Sequence, residues 1–221
     1  KRKSTNSSSQ DSKKTKTISG PESKVTSTGK PQPTKQANGK LIFNDFPNFQ
    51  PNKSPKEIIE AGAFGGSYFR KIKSGVLGKT LEDQEKEFDF FNGISKSKLT
   101  NSSYDKSVNK YDVNCGGDLD MWESKHWISP QDPYGWFQWY CRFYSGRRST
   151  DDERQIGRWT RCAGVKGRWR NNLITKIIKA GKKFDDASVS PVVRQTLLHW
   201  GYELDEHDFK IGKTRYQQRN K

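Results

Sequence analysis

The sequence predicts a mainly α domain, with α+β as the alternative, in one folded unit over residues 41–204. Its C-terminal half is expected to be helical and its N-terminal part irregular or holding a small sheet. Three observations predict this. Four helix start-and-stop signals follow one another between Asp132 and Gly201, each agreeing with apolar residues at helical spacing. All 27 aromatic residues lie from Leu41 onward. Residues 1–40 hold ten basic and two acidic residues, only three apolar ones (Ile18, Val25, Ala37) and no aromatic. Such a segment cannot bury enough surface to offset its ordering entropy, so it reads as a disordered basic tail.

Order is expected to begin near Leu41-Ile42-Phe43. Ser54-Pro55-Lys56-Glu57 places a Ser N-cap, Pro at N1 and Glu at N3, which predicts a short helix through Ala61 stopped by Gly62. Gly65-Gly66 reads as a turn running into an aromatic segment, Ser67 to Arg70, with strand character. An acidic patch (Glu82, Asp83, Glu85, Glu87, Asp89) and a polar stretch to about Lys110 predict no regular element. Asp132-Pro133 is expected to start an aromatic helix that Gly146 ends. Thr150-Asp151-Asp152-Glu153 has the form of a second capping box, with acids favourably placed on the N-terminal dipole. Its helix puts Ile156, Trp159 and Ala163 on one face and stops at Gly164. A third helix opens near Gly167 and carries Trp169, Leu173 and Ile177 to Gly181. Ser190-Pro191 caps a fourth, with Val193, Leu197 and Trp200 before Gly201. Residues 205–221 read as a polar extension.

Charge points to a partner class. The net charge is +16, and half of it belongs to the tail. Residues 142–183 hold thirteen basic and three acidic residues, a net +10, so the remainder of the body is slightly acidic. Arg154, Arg158 and Arg161 follow i, i+4, i+7 spacing; Arg147 and Arg148 precede them, and Lys166, Arg168, Arg170, Lys176 and Lys179 continue the field. Guanidinium forks match phosphate oxygens, and several neutralised together give strong electrostatic affinity. Nucleic-acid binding through these ten residues is therefore the expected function, with DNA favoured over RNA and the nucleus over the cytoplasm. The tail's Lys1-Arg2-Lys3 and Lys13-Lys14-Thr15-Lys16 clusters fit a nuclear address or a solubilising arm equally well. Trp159 and Trp169 fall on the apolar stripes of their helices and read first as core, with base stacking the alternative.

Two readings from other classes compete. Asp118, Asp120, Glu123 and Lys125 include the Glu-x-Lys form found in many metal-dependent nucleases, although their aspartate normally lies well upstream on a separate strand. That reading gains if the 118–126 loop borders the Arg154/Arg158/Arg161 face. The aromatic cluster of 134–144 could instead face a protein partner. No cofactor and no metal are expected: Cys115, Cys141 and Cys162 lack a C-x-x-C pair and suit a reducing compartment, and His199 and His207 lack the partners of a triad. No apolar run approaches the ~20 residues of a membrane span.

Two resemblances add to this. Gly167-Arg168-Trp169-Arg170-Asn171-Asn172-Leu173 is similar to the recognition helix of Myb-type modules, but those use three tryptophans spaced nearly twice as far apart as Trp159 and Trp169. It implies only a helix-in-groove mode by analogy. The runs Phe46 to Glu57, Phe64 to Arg70, Cys115 to Glu123, Asp132 to Arg148 and Ser190 to Leu204 together resemble an uncharacterised eukaryotic protein family. The resemblance spans about 43–204 and implies a single unit there, with no activity attached.

Overall fold

Helix α4 (Trp136–Tyr144) lies at the centre, and its composition explains why. Seven of its nine residues are buried, on every side, and a helix apolar all round belongs inside a core. Phe49 packs edge-on to Tyr140, Phe143 and Trp159, while Tyr68 and Phe69 pack against Phe137 and Tyr134. Each fully buried ring of this kind contributes roughly 2–3 kcal/mol before its ordering cost. The 134–144 cluster is thus the core itself. Six of its seven rings are buried and Tyr144 is half-buried, so little aromatic surface is left there for a protein partner.

The computed structural model describes residues 32–219 and is mainly helical, with two small two-stranded sheets and eight helices among those residues. The basic clusters of the tail lie outside the described residues. Order begins earlier than Leu41. Strand β1 (Thr34–Lys35) pairs antiparallel with β2 (Leu41–Ile42), with Thr34 opposite Ile42. The turn between them is closed by Gln36 N–H donating to Lys40 O and by Gly39 in the left-handed region. Helix α1 (Pro55–Ala61) forms as expected, with both halves of the Ser54/Glu57 capping box made.

The strand expected at 67–70 is displaced. Tyr68 and Phe69 are buried plugs, with Tyr68 Oη donating to Tyr134 O at 2.5 Å. The hairpin β3 (Ile72–Ser74) with β4 (Lys79–Leu81) follows instead. Short 3₁₀ turns and α2 (Lys96–Leu99) occupy the polar stretch, and α3 (Leu119–Ser124) precedes the aromatic core.

The C-terminal half comprises α4, α5 (Asp152–Cys162), α6 (Arg168–Ala180), α7 (Pro191–His199) and α8 (Glu206–Arg219). Two starts are shifted. Asp132 does not open α4, which begins after Gly135. No capping box forms at α5, whose N-cap is Asp151 without a side-chain cap; Ser149 N–H and Oγ–H both donate to the Asp152 carboxylate instead. Gly181, in the left-handed region, closes α6 as expected. The segment expected as a polar extension is α8, which packs on α6. Buried Asp208 pairs with Arg170 at 2.8 Å, so the body continues past 204. Among the described residues no helix is long and apolar enough to cross a membrane.

Candidate nucleic-acid interface

Three of the ten cations expected to meet phosphate are committed inside the fold. Arg147 is 7% exposed, and its Nη2 donates to Asp132 Oδ2 at 2.6 Å; Asp132 is fully buried and also accepts from Arg142. Arg148 chelates Asp45 at 2.8 and 3.1 Å and lies 3.8 Å over the Phe143 ring. Arg170 is 3% exposed, paired with Asp208 and stacked over Tyr202. Burial pushes the Asp208 carboxyl up, but Arg170, Tyr202 and Lys40 outweigh it and hold it below the ordinary carboxylate value. These three guanidiniums form pairs that tie distant segments together, and they are removed from the interface. Arg154 is exposed but held on Asp151, one turn back at the start of α5.

Six cations remain. Arg161, Lys166, Arg168, Lys176 and Lys179 are exposed and Arg158 is half-buried. Among the described residues none of the six pairs with a carboxylate, whereas Lys40, Lys53, Lys110, Arg142, Arg147, Arg148, Arg154 and Arg170 all do. Helix α5 packs on α6; Arg158 and Arg161 share one face of α5, and Arg168, Lys176 and Lys179 share one face of α6 by their spacing. Burial pushes the Cys162 thiol up to about 12, and Arg168 and Arg158 both pull it back, which places both guanidiniums within electrostatic reach of one sulfur. The Arg158 guanidinium is itself held below its ordinary value, first by burial and then by Arg154, with Arg161 adding to the effect. Lys166 also lines an apolar cleft of about 700 Å³ between α5 and the Phe46–Gln50 segment.

The tryptophans divide. Trp159 is core, with its Nε1 donating to Trp200 O at 2.9 Å. Trp169 is half-buried under the Arg168 guanidinium, 4.5 Å from its ring centre. Two others matter more to the site. Arg158 Cζ lies 5.4 Å from the Trp200 ring and 5.8 Å from that of Trp127, which is 44% exposed. Trp127 reads from sequence as a loop anchor. The only local sign otherwise is its place after a Ser-Lys-His run with no apolar periodicity to bury it.

Trp127 brings the end of the 118–126 loop to Arg158, yet the loop's carboxylates are occupied by structure. Asp118 caps α3 by accepting Met121 N–H at 2.7 Å. Glu123 accepts the N–H groups of Gly75 (2.9 Å) and Val76 (3.4 Å) in the β3–β4 turn. Asp120 and Lys125 are exposed. The four do not converge on a metal position. Among the described residues the one group of potential ligands within reach of one another is Asp205, His207 and Asp208, and Asp208 is already shared by Arg170, Lys40 and Tyr202. Comparison of the chain with protein-family models, curated proteins and solved structures returned no match.

Proposed function

We propose that the protein binds nucleic acid, DNA in the first instance, through phosphate contacts from Arg158, Arg161, Lys166, Arg168, Lys176 and Lys179, and that it works in the nucleus. The observation that carries this reading is the absence of carboxylate partners for all six among the described residues, whereas Arg142, Arg147, Arg148, Arg154, Arg170 and Lys182 of the same segment are paired and only Lys183 joins the unpaired set. Unpaired cations side by side repel one another and add nothing to folding, whereas a polyanion neutralises them together and releases its condensed counterions.

The test is a salt titration of the full chain against labelled DNA. Each phosphate contact contributes about 0.9 to the slope of log K against log salt for duplex and about 0.7 for single strands. Replacing Arg161, Lys166 and Arg168 together by Ala is expected to lower the slope by roughly 2–3. An unchanged slope, or no binding by the unmodified chain at low salt, overturns the proposal.

A further inference from the structure

We infer that Trp127, Arg158 and Trp200 form a receptor for an unpaired nucleobase and its adjoining phosphate, so that the strand bound at this patch is single. This deepens the proposed function and rests on it.

Four observations converge. The Trp127 indole is 44% exposed, yet its backbone is fixed: its N–H donates to Trp122 O at 3.0 Å, and His126 before it is held in the left-handed region at φ +53°. A large indole placed in solvent by a constrained turn has a surface to offer. Arg158 is half-buried between two indoles, and its one side-chain hydrogen-bond partner is Gln155 Oε1 at 2.9 Å; among the described residues no carboxylate pairs with it, and Asp151, which acts on it from a distance, is itself held by Arg154. Trp200 is fixed from behind, by Trp159 through its carbonyl and by Trp136 at 4.6 Å ring to ring. Trp136 is buried and keeps its Nε1 donor without an acceptor among the described residues. The cluster is therefore rich in π faces and donors and poor in acceptors.

That imbalance selects the ligand. A methylated ammonium, which aromatic cages otherwise take, would meet the Arg158 charge with no carboxylate in the cage itself. A duplex presents base edges and keeps its base faces stacked, so an indole has nothing to lie on. A single strand brings both missing parts, a free π face for the indole and phosphate oxygens for the guanidinium.

The test measures binding of the full chain to fluorescein-labelled dT12, U12 and a 12-base-pair blunt duplex, by anisotropy, for unmodified protein, Trp127→Ala and Trp127→Phe. Trp127→Ala is expected to weaken binding to the single strands roughly 5- to 100-fold, the range for loss of one stacked base. Duplex binding and the salt slope stay unchanged, and Trp127→Phe restores most of the loss. The ratio of dT12 to U12 affinity reports which sugar the site accepts. If Trp127→Ala leaves single-strand binding intact, or weakens duplex equally, the receptor is overturned while the electrostatic reading stands. If the unmodified protein binds none of the three at low salt, the electrostatic reading fails first. A phosphotyrosine peptide that displaces dT12 at equal concentration overturns the nucleobase assignment.

Discussion

Replacing Asp132 by Asn tests whether the basic segment is partly internal. Asp132 is fully buried and accepts Arg142 Nη1 at 3.0 Å and Arg147 Nη2 at 2.6 Å. The two arginines do not suffer equally when it is lost. Arg142 keeps a bidentate pair with Glu87, at 2.7 and 2.6 Å, and a bond to Gln131 O. Arg147, 7% exposed, keeps no carboxylate among the described residues, and its Nε and Nη1 are without acceptors already. Asn preserves shape, so the loss is almost wholly one stranded buried guanidinium, which costs about 3–5 kcal/mol. For a body of this size that lowers Tm by roughly 6–20 °C. The assay is thermal and urea unfolding of the full chain at pH 7, followed by near-UV circular dichroism. Adding Arg147→Met to Asp132→Asn removes the stranded charge and is expected to recover at least half the loss. A decrease below ~1 kcal/mol, or a double variant no more stable than the single one, would refute the assignment of Arg147 to the core.

Two further outcomes are expected. Buried His199 accepts Phe64 N–H at 3.0 Å and lies against the Phe64 ring, and burial lowers its imidazole to about 3. The unfolded chain therefore takes up the proton first, near pH 6.5: full stability holds above that value and is lost as pH falls toward 3, at up to about 1.4 kcal/mol per pH unit. Between pH 6.5 and 5 the carboxylates contribute little, so His199→Gln should flatten the stability profile there; a profile equally steep in that variant counts against a neutral His199. At the start of α5, Ser149→Ala removes a hydroxyl bond to the buried Asp152 carboxylate and should cost about 1–2 kcal/mol in urea unfolding, against a few tenths for exposed Thr150→Ala; the reverse order would count against this role for Ser149.

The start of α5 shows where local reading stops. Both Ser149-x-x-Asp152 and Thr150-x-x-Glu153 fit the capping pattern, and nothing within four residues separates them. Neither box forms, because Trp139 draws Asp152 inward, its Nε1 donating to Asp152 Oδ1 at 2.9 Å inside the core. Elsewhere local signals sufficed: the Ser54 box, Gly181 and the apolar periodicity of α6 needed no distant partner. Helix α8 was illegible for a different reason. Its buried positions are Asp208 and Gly212, which dock by an ion pair with Arg170 and by close approach to Ile174, so hydrophobic periodicity has nothing to detect.

The same physics limits the candidate site. Spacing along a helix says which basic residues share a face, but not which of them find an acid, because the acids come from far along the chain. Asp45 takes Arg148 across 103 residues, and Asp132 takes Arg147 across 15. Asp208 takes Arg170 from the segment that reads as a mere extension. A net +10 over 142–183 therefore overstates what a ligand meets, since Arg142, Arg147, Arg148 and Arg170 are neutralised within the fold. What remains is smaller and better defined: six of the ten expected cations, with Lys183 beside them, lack acids among the described residues, and one of them is set between two indoles. Net charge alone predicts an attraction for any polyanion. The pairing pattern predicts which substitutions weaken binding and which only unfold the protein.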